Sequence, residues 1–344
     1  MLHSMYKKGL VTIITPSYNS AHLITRLLDS VLTQTYPNVE MFVIDDGSTD
    51  DTKDVVESYI LAFQRRGYVL HYAYQENAGQ NAAINNALKW VTGEYLLYPD
   101  SDDWYKTDDA ISIMVNTMNH YGDEVGVVRC QYEMIDAETM KVINHTVFQP
   151  CDIPCDLFED AFYGTNGFRY SPIEFILKTK FLDKYIKGRE IFVARFIGQN
   201  YQVLLPYFAN SRCVTINKVL CCYLVRQNSA SRRKRSYEDW LLRKTRGMKC
   251  LEYTLSTIDT IAEMRREDLL RNKRAVFYND CMALAIEYSK KTEFRKFYTQ
   301  AKREYAHIEQ KYRVAWIWTV VLPMQSYKWG QALWRKCKRI FSRK

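Results

Sequence analysis

Residues 10–16, LVTIITP, are apolar or threonine throughout and stop at a proline, which predicts a short strand buried on both faces. Over 21–34, Ile24, Leu27, Leu28, Val31 and Leu32 recur at helical spacing and predict an amphipathic helix. VEMFVI (39–44) predicts a second strand and runs into DDGSTDDT, where Ser48 or Thr49 can cap a helix reaching about residue 64, with acids in its first turn. A third strand near 68–74, a helix over 79–91, a fourth strand EYLLY (94–98) and a helix over 108–120 continue the alternation. Residues 125–150 read as strands and loops, and a mixed segment runs to about 225. After the basic loop SRRKRS (231–236), the pattern is mostly helical from about 237 to 310.

Alternating strands and helices with short connections predict an α/β fold: a mostly parallel sheet flanked by helices, with a helical C-terminal appendage. In such sheets ligands bind beyond the carboxyl ends of the strands. Three polar clusters fall at those ends: TPSYN (15–19), DDGSTD (45–50) and DSDD (100–103). One acidic turn is commonly just a solvated loop. Three runs aimed at one rim point to a binding site.

The 344 residues suit one large domain plus an appendage, and an apolar fraction of 47% is globular. Nine cysteines without CxxC spacing suggest free thiols in a reducing compartment rather than a disulfide frame or zinc site, with Cys151, Cys155, Cys221 and Cys222 as ordinary buried small residues. The first 16 residues lack the apolar core and cleavage site of a secretory signal, and the apolar run 314–324 is too short to span a bilayer. A cytoplasmic location follows as the expectation.

YPDSDDWY (98–105) packs Asp100, Asp102 and Asp103 into four positions. No GxGxxG follows the first strand, and no Gly-Lys-Ser/Thr phosphate loop is present. EF-hand spacing fails because Trp104 takes the fifth ligand position. A haloacid-type phosphatase would place its paired aspartates after the first strand. What remains is Asp-x-Asp at a strand end, a hard oxygen site for Mg²⁺ or Mn²⁺, a cation normally shared with phosphates and one that offsets the repulsion between the acids.

The segments VTIITPSYNS, LLDSVLTQTYPNVEMFVIDDGSTDDT, ENAGQNAAINNAL and GEYLLYPDSDDWY, in this order and spacing, resemble the nucleotide-sugar-binding half of the GT-A, family-two inverting glycosyltransferases of bacterial polysaccharide synthesis. The resemblance covers the first 120 or so residues and weakens toward 232. It implies that Thr15, Pro16, Tyr18 and Asn19 surround a uridine, and that Asp45 and Asp46 contact base and ribose. A carboxylate can accept from uracil N3–H or ribose hydroxyls, although an acid pair ahead of a helix is the plainer alternative. Asn77, Gly79 and Asn85 match the segment beneath nucleotide and sugar; Asn85 could equally be a helix-face amide. Ile84 stands where many relatives carry arginine. Asp100 and Asp102 match the metal-binding pair, with Asp102 the direct ligand. Asp103 would support the loop or face the sugar. The metal would stabilise the departing UDP.

Two departures stand out. An inverting transfer benefits from a base that deprotonates the acceptor hydroxyl. Relatives supply an Asp where this chain has Asn200, preceded by Gln199, and neither amide can take a proton. These two are read as acceptor-side residues. Glu190, Asp183 or Glu174 could supply the base, Glu190 being the candidate retained; otherwise the proton leaves late, aided by phosphate oxygen, or the protein binds without catalysing. Second, where some relatives place a metal-ligating histidine, this chain reads Arg226-Gln227-Asn228. Arg226, or the Arg232–Arg235 cluster, could clamp the diphosphate directly.

No Asp or Glu follows Glu309, yet nine basic residues do, and they account for the whole net charge of +9. Trp316, Trp318, Trp329 and Trp334 are mixed among them, a composition that fits a helix in a membrane interface. Charge of this kind also serves nucleic-acid binding, but no such motif accompanies it, so none is expected. The expected organisation is a GT-A domain over 1–232, a helical region over 233–310 and a membrane-interface tail over 311–344. The expected function is metal-dependent transfer of a sugar from a nucleotide-sugar, most simply a UDP-sugar, to a saccharide or lipid-linked acceptor at the inner membrane face. A silent sugar-nucleotide-binding or scaffold subunit is the alternative. A nucleotidyltransferase would want a lysine-containing Gly-rich loop near the N-terminus, which is missing.

Overall fold

The computed structural model describes residues 6–194, 197–227, 235–304 and 307–321. The chain divides into two compact units, Met1–Arg233 with Tyr253–Thr260, and Lys234–Glu252 with Ile261–Lys344.

The first unit is built on one sheet. Its described strands are β1 (Lys7–Ser17), β2 (Val39–Asp45), β3 (Val69–Tyr74), β4 (Gly93–Leu97), β5 (Trp104–Tyr105), β6 (Val125–Asp136), β7 (Val142–His145), β8 (Pro154–Cys155), β9 (Phe175–Lys178) and β10 (Arg212–Val225). The order is β3-β2-β1-β4-β9-β6-β10-β5, with β7 beside β6 and β8 beside β10. Strands β1 to β4 are parallel, as their spacing predicts, and Ser17 lies level with Asp45. The sheet as a whole is mixed, because β9 runs antiparallel to both β4 and β6. A parallel return would need a crossover back over the sheet. The chain instead comes round to the end where β6 finishes and enters β9 from there. Strand β10 is parallel to β6 and so ends on the same rim. That rim therefore carries the ends of β1, β2, β3, β4, β6 and β10, and the start of β9.

The helices follow the apolar spacing. They are α1 (Ile24–Leu32), α2 (Thr52–Ser58), α3 (Ile60–Arg66), α4 (Gln80–Leu88), α5 (Ala110–Tyr121), α6 (Phe158–Tyr163), α7 (Leu182–Tyr185) and α8 (Asn200–Phe208). Ile24, Leu27, Leu28 and Val31 of α1 and Ile111, Met114, Val115 and Met118 of α5 share one core with Val11, Ile13, Met41 and Val43 of the strands. Helix α4 lies against β1 and β2, and the alternate residues Ile14, Phe42 and Ile44 are buried too. Strands covered on both faces read as continuous apolar runs, which is why LVTIITP and VEMFVI do.

The helix expected after DDGSTDDT begins later than Ser48 or Thr49 would set it, and it is two helices. Those residues are engaged elsewhere: the Ser48 hydroxyl accepts from the Asn19 amide at 2.8 Å, and the Thr49 amide donates to Asn19 Oδ1 at 2.8 Å. The Asp50 carboxylate takes the Thr52 amide at 3.1 Å.

The second unit holds most of α9 (Tyr237–Ser256), then α10 (Glu263–Glu287), α11 (Lys291–Arg303) and α12 (Gln310–Val321). Tyr278, Met282, Ala285, Phe294, Phe297, Tyr312 and Ala315 share its core. The opening turns of the basic tail thus pack as an ordinary helix, whereas Trp329, Trp334 and the basic residues from Lys328 onward lie outside the described residues. Among the described residues no helix is long and apolar enough to cross a membrane. The eight described cysteines are free thiols; Cys221 and Cys222 are buried, while Cys151 and Cys155 are only half-buried.

Candidate active site at the sheet rim

The polar clusters after the strands are stitched to one another. Asn19 adopts a left-handed backbone, φ 48°, which turns the chain after β1; its backbone N–H donates to Ser48 Oγ and its side-chain Oδ1 accepts from the Thr49 amide. The Ser20 amide donates to Thr52 Oγ1 at 2.9 Å, and Ala21 donates to Asp50 at 3.1 Å. Ser20 and Ser101 hydroxyls lie 2.9 Å apart, joining the β1 loop to the acidic loop after β4. Tyr18 projects outward and is 52% exposed.

Asp45 and Asp46 are both buried at the end of β2. Asp45 accepts from the Ser48 amide at 2.8 Å and from the Tyr72 hydroxyl at 2.7 Å. Asp46 accepts from Gln75 Nε2 at 2.7 Å and from the amides of Ala78 and Gly79, each at 2.9 Å. Asn77 donates to the Asp46 carbonyl at 2.8 Å. The acid pair therefore fixes the 75–79 segment. Gly47 lets that segment come close: its φ is +82°, and a Cβ there would sit 2.8 Å from the Asn77 amide nitrogen. Beside them Thr15 Oγ1 and Ser17 Oγ are buried without a hydrogen-bond partner. Buried hydroxyls normally have one, so these two mark a place where a ligand's polar groups fit.

In the acidic loop one oxygen from each of Asp100, Asp102 and Asp103 lies within 4.8 Å of the others. Asp100 Oδ1 accepts from Gln80 at 2.7 Å and Gln199 at 3.2 Å, which ties the starts of α4 and α8 to the loop. Burial and then the Asp102 charge raise the Asp100 pKa to about 7, against the pull of those amides and of Arg226. Asp103 is fully buried, accepts from the Leu224 amide at 3.0 Å, and leaves Oδ2 unpartnered. Burial, then Asp102 and Asp100, push its pKa well up. Asp102 is held by Arg226, whose Nη2 and Nε lie 2.5 and 3.0 Å from Oδ2.

The remaining expected residues are placed differently. Asn85 does not open onto the acidic loop: its amide pairs at both ends with the backbone of Ile191, at 3.0 and 2.9 Å. Asn200 opens α8 and donates to the Tyr170 carbonyl at 3.0 Å, while its Oδ1 is buried without a partner. Glu190 is exposed and forms no hydrogen bond or ion pair with its carboxylate among the described residues. Asp183 is locked to Arg189, at 2.6 and 3.1 Å, and to the Tyr6 hydroxyl; the Arg189 bond holds its pKa below the usual carboxylate range. Glu174 precedes β9 at the rim and is fully buried with both oxygens unpartnered. Its pKa is pushed well up by burial, opposed by Arg129.

A family model described as glycosyl transferase family 2 matches residues 12–183, half of the chain. The chain belongs to glycosyl transferase family 2. The glycosyltransferase GlyA of Streptococcus pneumoniae is 29% identical to it over 230 residues, which is 64% of this chain and 31% of GlyA. The putative teichuronic acid biosynthesis glycosyltransferase TuaG of Bacillus subtilis is 42% identical over 102 residues, 29% of this chain and 39% of TuaG. The matched region thus spans between about a third and two fifths of these relatives' own length. Among solved structures, S. aureus TarS 1-349 in complex with UDP-GlcNAc superposes with a TM-score of 0.64 at 20% identity, over 95% of this chain and 92% of that one. The mannosyltransferase PcManGT of Pyrobaculum calidifontis, in complex with GDP-Man and Mn²⁺, gives 0.50 at 20% identity, over 95% and 87%. Both show the GT-A fold.

For a family-2 glycosyltransferase the acidic loop has the chemistry of a divalent-cation site. Hard carboxylate oxygens converge, and the unpartnered Asp103 Oδ2 is a buried acceptor beside them. Asp100 and Asp102 would hold the ion, with Asp103 bracing the loop. Several participants escaped the sequence reading: Gln75, Gln80, Tyr72, Ser20 and Ser101. Gln80, Ser20 and Ser101 stand inside the segments that carry the family resemblance, and only the folded geometry shows that they link those segments.

Proposed function

We propose that this family-2 glycosyltransferase moves a sugar from a UDP-sugar to a saccharide or lipid-linked acceptor in surface polysaccharide synthesis, using Mn²⁺ or Mg²⁺ at Asp100 and Asp102. The observation that carries the reading is the convergence, on one rim, of a carboxylate triad and the unpartnered buried hydroxyls of Thr15 and Ser17. TuaG, and TarS with UDP-GlcNAc, are the relatives that favour a UDP-sugar and a cell-surface glycan; PcManGT with GDP-Man and Mn²⁺ favours a metal.

In this proposal Thr15, Pro16, Ser17, Tyr18 and Asn19 surround the base. Asp45 and Asp46 hold the loop that receives the ribose, and Asn77 and Gly79 line the passage to the sugar. Bound metal neutralises charge on the leaving diphosphate. Arg226, held beside the loop at Asp102, supplies a second positive charge for the diphosphate. Gln199 and Asn200 orient the acceptor by hydrogen bonding. Glu190, exposed and unpaired, takes the acceptor proton as the new C1–O bond forms and the bond to UDP breaks. The enzyme works at the inner face of the membrane, held there by the cationic aromatic tail.

UDP release from a panel of UDP-sugars, with Mn²⁺ and a glycan acceptor, tests this. Acceptor-dependent release that falls by about two orders of magnitude in Glu190→Gln is expected of a lost general base. Full activity in that variant would remove Glu190 from the mechanism. Nucleotide-sugar binding without transfer to any acceptor would contradict the catalytic reading.

A further inference from the structure

Arg226 is the first residue beyond β10, at the rim, and its side chain is 37% exposed while that of Asp102 is only 18% exposed. Both of its contacting nitrogens meet the same oxygen, Asp102 Oδ2, and the charge-assisted pair is short. No other cationic side chain forms an ion pair with the triad among the described residues. Asp102 is therefore already paired with a cation in the protein alone.

Mg²⁺ sits at about 2.0–2.1 Å from the carboxylate oxygens that ligate it. An ion on Asp102 would share the carboxylate with a guanidinium nitrogen already 2.5 Å from Oδ2, and two cations would crowd one anion. A diphosphate brings negative charge of its own and relieves that crowding. Arg226 is exposed enough to turn toward that charge and can pair with phosphate oxygens through its fork.

We infer that Arg226 is a resident counter-ion that competes with the metal for Asp102, so that metal and nucleotide load together and the guanidinium passes from Asp102 to the diphosphate. This rests on the metal-site reading above and adds an order of events: the metal binds poorly before the nucleotide does. The same residue both guards the acidic loop and completes the nucleotide site.

The test uses the full chain and Mn²⁺ itself, followed by electron paramagnetic resonance of free and bound ion, with and without UDP. Wild type should bind Mn²⁺ weakly alone and at least about tenfold more tightly with UDP. Arg226→Gln should bind Mn²⁺ alone about tenfold or more tightly than wild type, and lose most of the UDP enhancement. Arg226→Lys, which keeps the charge but not the fork, should stay near wild type for Mn²⁺ alone. Unchanged or weaker Mn²⁺ binding by Arg226→Gln, with wild type still loading Mn²⁺ beside UDP, would overturn the exchange and leave the metal site standing. Failure of every variant to bind Mn²⁺ even with UDP would overturn both. A thermal melt of Arg226→Gln matching wild type guards against misfolding.

Discussion

Asp100→Asn should make the metal-free protein more stable at alkaline pH, although it removes a proposed metal ligand. The Asp100 carboxyl has a folded pKa of about 7 against an ordinary 3.8. Between those values the folded chain holds a proton that the unfolded chain has released. Stability therefore falls as pH rises from about 4 to about 7 and levels off above. The gap of roughly 3 pH units corresponds to ~4 kcal/mol as a ceiling, at 1.36 kcal/mol each. Asp100 keeps part of its surface in water and is coupled to Asp102, so the recoverable share is about 1–3 kcal/mol. Asparagine keeps the acceptor used by Gln80 and Gln199, and its new amide can donate toward Asp102. Thermal denaturation in EDTA should show the variant melting several degrees above wild type at pH 8, at roughly 2–4 °C per kcal/mol, with the difference shrinking toward pH 4.5. A variant that melts lower at pH 8, or a difference that does not change with pH, would refute the reasoning.

Gly47→Ala forces a Cβ to 2.8 Å from the Asn77 nitrogen at φ +82° and should cost about 1–3 kcal/mol in urea denaturation, with weaker UDP binding because the 75–79 segment must shift. Asp46→Ala strips the acceptors from Gln75, Ala78 and Gly79 and should cost about 3 kcal/mol or more, with hydrogen exchange rising at the 78 and 79 amides. Glu174→Gln removes a buried carboxyl that no partner satisfies, so stability at pH 8 should fall by no more than about 1 kcal/mol or rise, and transfer activity should persist. A Glu174→Gln enzyme that folds but transfers nothing would reassign the base.

The first four strands and three of the helices beside them were legible to within a few residues, because β1 and β2 are buried along nearly their whole length and read as apolar runs, and the helices keep their apolar spacing. Strand β9 was not. FILK has no period of its own to reveal direction, and its orientation follows from a connection, not from its residues. At the rim, the positions of Asp100, Asp102 and Asp103 were readable as a carboxylate cluster on a strand end. What was hidden is how much of the polar motif is internal bracing. Asp46 accepts from backbone amides 32 and 33 residues away and Asn85 pairs with backbone 106 residues away, and only folding brings those partners within reach. The family resemblance put Arg226 near the diphosphate, but its choice of Asp102 as partner depends on β10 ending level with the acidic loop.

The central claim is a divalent ion held by Asp102 against a nucleotide diphosphate. Calorimetric titration of UDP into wild type and Asp102→Ala, in Mn²⁺ and again in EDTA, addresses it most directly. The account predicts that Mn²⁺ tightens UDP binding to wild type by about tenfold or more, ~1.4 kcal/mol, and leaves binding to the variant unchanged. An equal Mn²⁺ enhancement in Asp102→Ala would contradict it.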